Sequence, residues 1–220
     1  MNRHEVKRQL QQVTMWTVQA LDLVFPPRCV SCKHAGHLLC PACLTQILPA
    51  PLPRCSHCYA QLDTDGLCSS CRYHPLHLSG LRAFGTYQDV LRSCIHALKY
   101  DGCTRLAQPL GHLLAGTFYT HRMRADLLIP VPLHYERERQ RGYNHASLLA
   151  RACSKETGIT LREDILLRQR ATAAQVGLGP KQRLHNVAGA FSCTSGKHLA
   201  GCRILLIDDV CTTGATLEAC

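Results

Sequence analysis

Several residue classes and patterns are scarce in this 220-residue sequence, and each scarcity excludes a class of protein. Aromatic residues make up only 5% of the chain, and they form no stripe interleaved with basic residues of the kind that stacks single-stranded bases. No uninterrupted run of about 18 apolar residues occurs, which argues against a transmembrane helix. Collagen-like repeats and low-complexity tracts are also missing. Hydrophobic residues at 46% and charged residues at 18% are typical of a globular protein.

An export signal is not predicted either. Arg3, Lys7 and Arg8 resemble the basic start of a secretory signal, but polar residues break the apolar segment and no small-residue cleavage site follows. We therefore expect a cytoplasmic location, in which disulfides do not persist. Acidic residues number 15 against 25 Lys and Arg, so the formal net charge is +10. This charge suits a nucleic acid or a small, strongly anionic substrate equally well.

Cysteine is the residue in excess: the chain has 15, and eight of them precede residue 72. These eight form four C-x-x-C pairs: Cys29/Cys32, Cys40/Cys43, Cys55/Cys58 and Cys68/Cys71. Two such pairs complete the tetrahedral four-thiolate shell that zinc prefers, so the sequence predicts two structural zinc ions in sequential or interleaved ribbons. A disulfide framework is the alternative, and the expected compartment disfavours it. So short a segment lacks a core of its own, and metal binding should supply much of its folding free energy.

The rest of the chain divides into helical and strand-like segments. An amphipathic helix is predicted over 3–24, packed on the protein body or, alternatively, on a membrane surface. Further helices are predicted over 90–100, 106–119 and 147–157, and strands over 81–87, 126–132 and 204–207, the last covered on both faces. Alternating strands and helices predict an α/β domain with a mostly parallel sheet. The expected units are 1–26 (helix), 27–75 (double zinc ribbon) and 80–220 (α/β domain).

The residues that follow the last apolar strand carry the most specific chemical signal. Residues 204–216 read ILLIDDVCTTGAT. Ligands of open α/β sheets bind beyond the carboxyl ends of strands, where Asp208 and Asp209 could accept hydrogen bonds from a ribose diol. Gly214 lets the backbone approach a phosphate closely, and nearby N–H groups and threonine hydroxyls donate to it. A Walker B strand also ends in acidic residues, but the chain has no matching G-x-x-x-x-G-K-[ST] loop.

This segment resembles the signature of type I phosphoribosyltransferases, which bind 5-phosphoribosyl-1-pyrophosphate (PRPP). The resemblance implies that Asp208 and Asp209 hold the ribose 2′ and 3′ hydroxyls, with Mg²⁺ bridging those hydroxyls and the pyrophosphate. It also implies a 5′-phosphate site made by five consecutive residues: Thr212, Thr213, Gly214, Ala215 and Thr216.

Further motifs, in their order along the chain, are similar to those of the ComF/GntX family over about residues 23–220. They are the four cysteine pairs, Lys99-Tyr100-Asp101-Gly102, Ile129-Pro-Val-Pro-Leu-His, Arg141-Gly-Tyr-Asn-His-Ala, Gln175 with Arg183, Asn186-Val-Ala-Gly-Ala-Phe, and the PRPP loop. The resemblance implies a type I phosphoribosyltransferase fold after a double zinc ribbon. It also implies an association with natural transformation, the uptake of DNA by competent bacteria.

The same resemblance assigns the remaining site residues. Pyrophosphate-binding residues would be Val131, Pro132, Leu133, His134, Arg141 and Lys181. Arg183 would act with Asp208 and Asp209 in catalysis, and residues 168–191, with Arg170 and Gln175, would form a hood over PRPP. For Arg137 and Lys99 a solvated surface position is the simpler interpretation. His145 and Tyr143 replace the Gln and Phe that relatives often have. Relatives also continue beyond the position of Cys220, so a truncated C-terminus is expected.

Three functions remain open at this stage. The first is Mg²⁺-dependent transfer of phosphoribose from PRPP to an unknown acceptor with release of pyrophosphate. The second is a nucleic-acid-binding accessory protein in DNA uptake with a non-catalytic PRPP site, whose partners would be single-stranded DNA or the uptake machinery. The third is a scaffold whose zinc ribbons only dock a partner.

Overall fold

The computed structural model describes residues 26–172, 179–194 and 199–220. The helix predicted over 3–24 and the hood residue Gln175 lie outside these ranges, as does the side chain of Lys181. Within the described residues, no helix is both long enough and apolar enough to cross a bilayer.

The described elements alternate between helices and short strands after an irregular cysteine-rich start. The helices are α1 (Pro41–Leu44), α2 (Ser69–Tyr73), α3 (Asp89–Tyr100), α4 (Ala107–Thr120), α5 (Tyr135–Arg141), α6 (His145–Thr157), α7 (Pro180–Val187) and α8 (Ala215–Ala219). The strands are β1 (Leu127–Pro130), β2 (Thr160–Leu161), β3 (Leu166–Arg168), β4 (Phe191–Cys193) and β5 (Ile204–Ile207). The helices predicted over 90–100, 106–119 and 147–157 are therefore confirmed.

The cysteine-rich segment is held by tight turns rather than by sheets. Both of its short helices begin at a cysteine whose sulfur accepts a backbone N–H: Cys40 from Cys43 at 3.4 Å and Cys68 from Cys71 at 3.3 Å. Because α1 and α2 have only one turn or so, these sulfur contacts define their starts. The first half of the segment also belongs to the main core, where its buried residues pack with those of α3 and α4.

Helices α4 and α6 pack closely against each other on the sheet. A Cβ placed on Gly111 would overlap the side chain of Ala152, so glycine is required for the approach of the two helices. Helix α3 contributes Val90, Cys94 and Leu98 to the same core, at the four-residue spacing that places side chains on one helix face.

A parallel three-stranded sheet in the order β2–β1–β5 lies at the centre of the α/β region. This confirms the mixed α/β fold with a parallel sheet that the sequence predicts. Strands β1 and β5 pair over four residues, with Leu127 opposite Ile204 and Pro130 opposite Ile207. Strands β3 and β4 form a separate antiparallel hairpin.

Two strand predictions need correction. Residues 81–87 form no strand, because the backbone N–H of Leu81 donates to the carbonyl of His57 and Gly85 makes a single bridge with Pro49. The cysteine-rich segment therefore uses the backbone groups that a sheet would need. Strand β5 is not covered on both faces along its length: Ile204 is 41% exposed. Within the described residues, β5 pairs with β1 only.

Candidate functional site

The loops predicted to bind PRPP follow two neighbouring strands. Because β1 and β5 are parallel and paired to their last residues, the segment after Pro130 and the segment after Ile207 leave the same sheet edge side by side. The N–H of Val131 continues this pairing by donating to the carbonyl of Ile207 at 2.9 Å. The carboxyl edge of a parallel sheet is where ligands of such folds bind.

Asp209 lies at this edge between two cationic or polar partners. Lys99 on α3 forms an ion pair with one carboxylate oxygen, and His145 Nε2 on α6 lies 3.4 Å from the other. The Asp209 side chain is only 5% exposed. Burial tends to raise the pKa of Asp209, but the hydrogen bond from His145 and the charge of Lys99 outweigh it and hold the pKa well below its usual range.

Asp208 behaves in the opposite way. Its Oδ1 accepts the backbone N–H of Asp209 at 2.9 Å. Burial, followed by the charge of the neighbouring Asp209, raises the pKa of Asp208 well above its usual range. The carboxylates of Asp208 and Asp209 therefore repel each other when both are ionised. A cation placed between the two groups would offset this repulsion.

A chain of contacts extends from Asp209 towards Arg141. Arg141 Nη1 lies 2.7 Å from His145 Nδ1, and the Arg141 guanidinium sits over the ring of Tyr100 at 5.2 Å. Since a guanidinium can only donate, Nδ1 accepts, and the ring proton of His145 lies on Nε2, facing Asp209. Arg141 thus orients a histidine at the acidic pair; within the described structure its contacts are with His145 and Tyr100.

The loop after Asp209 is shaped by Gly214. This glycine has φ of 80°, and a Cβ there would lie 3.0 Å from Leu76 Cδ1. Arg183 on α7 reaches the same loop, with its Nη1 donating to Thr212 Oγ1 at 2.6 Å. The structure therefore brings Arg183, predicted from a distant motif, to the residues predicted to bind the 5′-phosphate.

The loop after β1 is more constrained than its sequence indicates. Val131 donates to Ile207, and its carbonyl accepts from Asn144 Nδ2 at 3.1 Å, so both of its backbone polar groups are used within the fold. Pro132 has no N–H group. His134 is buried, and its Nδ1 makes no hydrogen bond within the described residues, although Glu136 Oε2 lies 3.7 Å away. Contacts to a ligand from this loop would come from Leu133 and His134.

Two residues of the site depart from their sequence interpretation. Lys99 is not a solvated side chain: it is 19% exposed and pairs with Asp209. His145, noted in the sequence only as a departure from related proteins, contacts the same carboxylate. The Lys99-Tyr100-Asp101-Gly102 motif was the one available signal for Lys99. Arg137, also interpreted as solvated, donates to the carbonyl of Thr172 at 2.6 Å.

The eight paired cysteines form two clusters of four. The clusters are sequential: Cys29, Cys32, Cys40 and Cys43 form the first, and Cys55, Cys58, Cys68 and Cys71 form the second. Within each cluster all sulfurs lie within 4.8 Å of one another, and the Cys32–Cys40 and Cys58–Cys68 sulfurs are 3.6 Å apart. Tetrahedral zinc with Zn–S bonds of about 2.3 Å places sulfurs about 3.8 Å apart, so both clusters fit zinc.

A third cluster with metal-ligand chemistry lies at the sheet edge. His145, Asp208 and Asp209 each offer a ligand atom within 4.8 Å of the others. Two carboxylates are the donors that Mg²⁺ prefers, and the raised pKa of Asp208 indicates that a cation there would be stabilising. The residues present therefore fit a magnesium ion held by Asp208 and Asp209.

Comparisons with known proteins give consistent results. A family profile described as a double zinc ribbon domain matches residues 20–72. Competence protein F of Haemophilus influenzae is 32% identical over 202 residues, 87% of each chain. DNA utilization protein YhgH of Escherichia coli is 27% identical over 86% of this chain and 78% of its own length. Competence protein ComFC of Bacillus subtilis is 27% identical over 96% of this chain and 82% of its own. No solved structure matches the chain.

Proposed function

Because this chain belongs to the competence protein F (ComF) family, we propose that it binds PRPP and, with Mg²⁺, transfers its phosphoribosyl group to an acceptor during DNA uptake. The relatives are named for competence and for DNA utilization, and this is the support for the biological setting. A reducing, cytoplasmic location is part of the proposal, since none of the 15 cysteines, all of which lie in the described residues, forms a disulfide.

The observation that carries this proposal is the convergence of separate motifs at one sheet edge. Asp208 and Asp209 follow β5, the Val131–His134 loop follows the adjacent β1, and Arg183 reaches Thr212 from α7. These groups are distant in sequence, yet together they provide acceptors for a diol and donors for phosphates. A turn with only a structural role would not need acids, hydroxyls and a guanidinium in one place.

Each residue has a distinct role in the proposed reaction. Asp208 and Asp209 accept hydrogen bonds from the ribose 2′ and 3′ hydroxyls, and residues 212–216 bind the 5′-phosphate. Mg²⁺ held by the acidic pair would neutralise pyrophosphate oxygens. The bond from ribose C1 to pyrophosphate breaks as the acceptor's lone pair forms the new bond to C1. His134, Arg183 and Lys181 stabilise the negative charge that pyrophosphate takes as it leaves.

His145 and Arg141 act on position rather than on the reacting atoms. The Nε2–H of His145 faces Asp209, and Arg141 fixes the tautomer through Nδ1. This keeps Asp209 ionised and oriented toward the ribose side of the edge.

A second function, that of a nucleic-acid-binding accessory protein with a non-catalytic PRPP site, has its own support. The net charge of +10 and two zinc ribbons suit a polyanion such as single-stranded DNA. Lys99 also forms an ion pair with Asp209, so a cation of the protein itself already neutralises one of the two acids.

Calorimetric titration with PRPP in the presence of MgCl₂ tests the first function. We expect saturable binding that weakens at least about a hundredfold in Asp208→Asn/Asp209→Asn, since charge-assisted contacts and the metal site are both lost. The control Asp63→Asn/Asp65→Asn removes two exposed carboxylates of the second ribbon and should bind normally. Equal affinity in both double variants would refute the PRPP site.

The accessory function is tested by binding of labelled single-stranded DNA at several salt concentrations. A steep loss of affinity with salt that is the same in wild type and Asp208→Asn/Asp209→Asn supports it. Incubation of PRPP, MgCl₂ and candidate acceptors, followed by a pyrophosphate assay, separates a catalyst from a binding protein.

A further inference from the structure

Arginines from two different elements meet at Thr172, at the base of the β3–β4 hairpin. Arg137 on α5 donates to the Thr172 carbonyl at 2.6 Å, and Arg168 at the end of β3 donates to the Thr172 hydroxyl. Thr172 is only 6% exposed. A third guanidinium, that of Arg170, binds the carbonyls of Asn186 and Ala188 and ties the hairpin to α7.

These charges have no carboxylate partner within the described ranges. By contrast, Arg151, Arg162 and Arg203 each pair with a carboxylate on the exposed surface. Arg137 and Arg168 instead share one neutral residue. Two like charges held this close cost free energy unless an anion neutralises them.

Arg168 is the arginine of this cluster whose hydrogen bonds are incomplete within the described residues. Its Nε is buried and has no hydrogen-bond partner among the described atoms, and its guanidinium lies over the ring of Phe191 at 5.2 Å. Burial lowers the pKa of Arg168, the charge of Arg137 lowers it further, and Cys220 and Asp208 act in the opposite direction. The guanidinium nevertheless remains charged. A buried polar atom of a charged group that lacks a partner among the described residues calls for an explanation, and a bound anion supplies one.

The position of the cluster identifies which ligand group it suits. Leu166 of β3 lies in one buried cluster with Ile129 of β1, and Leu206 of β5 packs against that cluster. The strand that carries Arg168 therefore packs beside the two strands that lead into the proposed PRPP site. The two anionic ends of PRPP are already assigned to residues 212–216 and to the loop after β1. Arg168 lies at the end of β3, where the segment expected to cover PRPP begins, and Arg137 lies on α5. Neither arginine is among the residues assigned to those two ends.

We propose that Arg137 and Arg168 form an oxyanion site that binds a carboxylate or phosphate group of the acceptor substrate. This inference rests on the proposed function for its identification of the ligand as the acceptor. A planar fork on each arginine matches the paired oxygens of either group. The acceptor is accordingly an anionic compound rather than a neutral base or amine.

The first experiment distinguishes an anion of the acceptor from the pyrophosphate of PRPP. In calorimetry with PRPP and MgCl₂, Arg168→Gln and Arg137→Gln should bind PRPP as the wild type does. A loss of about tenfold or more in either variant would assign the cluster to pyrophosphate and overturn the proposal. Arg162→Gln, which removes an exposed arginine paired with Asp164, is the matched control.

The second experiment detects the anion directly, with inorganic phosphate as the probe at constant ionic strength. With PRPP and MgCl₂ saturating, phosphate should bind the wild type and Arg162→Gln, and bind at least about tenfold more weakly to Arg168→Gln and Arg137→Gln. Arg168→Lys, which keeps the charge without the fork, should be intermediate. Equal phosphate affinity in all variants would contradict the site.

A third experiment tests the oxyanion site independently of the proposed PRPP site. In a full-length Thr212→Ala/Thr213→Ala chain without PRPP, phosphate titration reports on the arginine cluster even if PRPP does not bind at all. We expect phosphate to raise the melting temperature of this chain, and not to do so once Arg168→Gln is added. Absence of stabilisation in both would overturn the oxyanion site, whatever the outcome with PRPP. Circular dichroism checks that each variant is folded.

Discussion

Lys99 and Asp209 form an ion pair that joins helix α3 to the end of strand β5. The lysine is 19% exposed and the carboxylate 5%, so the pair is largely removed from water. Lys99 places at Asp209 a positive charge of the kind that the proposed Mg²⁺ would supply. The ion pair therefore contributes to the folding stability of the protein and also sets the charge at the proposed cation site.

Replacing Lys99 should destabilise the free protein and Mg²⁺ should partly restore it. Lys99→Met leaves a buried carboxylate with only His145 as partner, so we expect a loss of about 3 kcal/mol in unfolding free energy, measured by urea titration. Millimolar MgCl₂ should recover part of this loss. Lys155→Met, which removes an exposed lysine on α6, should change little in either condition. Equal unfolding free energies for Lys99→Met and Lys155→Met would show that the ion pair does not stabilise the fold.

The two zinc clusters should differ in their importance for the whole protein. Cys29 and Cys43 pack in the main core with Leu98, whereas the second cluster lies outside that core. Cys29→Ser should therefore lower the melting temperature of the whole chain more than Cys55→Ser does. Each variant should retain one of two zinc ions by metal analysis, because the two clusters share no cysteine. Loss of both ions from a single substitution would show instead that the two clusters fold as one unit.

A pH-dependent contribution is expected from the pair that joins the starts of β1 and β5. Asp126 accepts hydrogen bonds from the Arg203 backbone at 2.8 Å and from its guanidinium, and these lower the pKa of Asp126 to about 2. The unfolded value is about 3.9, so this stabilisation is complete above pH 5 and is lost as the pH falls through 2.

Unfolding of Asp126→Asn and wild type at a series of pH values measures this contribution. The difference in unfolding free energy should be constant from pH 7 to pH 5, shrink below pH 4 and nearly vanish at pH 2. Zinc release in acid affects both proteins and cancels in the comparison. For the exposed control Asp63→Asn, the difference in unfolding free energy from wild type should not change with pH in this way. A difference for Asp126→Asn that grew in acid would contradict the assignment.

Gly214 should be intolerant of a side chain. Its φ of 80° disfavours other residues, and the added Cβ would lie 3.0 Å from Leu76 Cδ1. We expect Gly214→Ala to lose about 1–2 kcal/mol of unfolding free energy and to bind PRPP more weakly. Gly116→Ala, at a helical position with no atom within 4 Å of the new Cβ, should instead gain up to about 1 kcal/mol. Equal effects at both positions would argue against a special loop geometry.

Local patterns in the sequence were sufficient for much of the fold. The helices over 89–100, 107–120 and 145–157 follow from apolar spacing, and β1 and β5 from short apolar runs with clear ends. The prediction of a strand over 81–87 was wrong, because these residues form irregular backbone that hydrogen-bonds to the cysteine-rich segment. Periodicity cannot reveal which distant backbone groups will compete for the same partners.

The sequence by itself determined which chemistries are present: four cysteine pairs with zinc-ligand spacing, and an acidic doublet before a loop of threonines and glycine. These are short-range properties, since each motif is complete within a few residues. Only the tertiary structure decided that the cysteines pair sequentially, that Lys99 and His145 reach Asp209, and that Arg137 and Arg168 meet at Thr172. Those contacts join residues far apart in the chain, and they depend on strand register and helix packing, which no local spacing encodes.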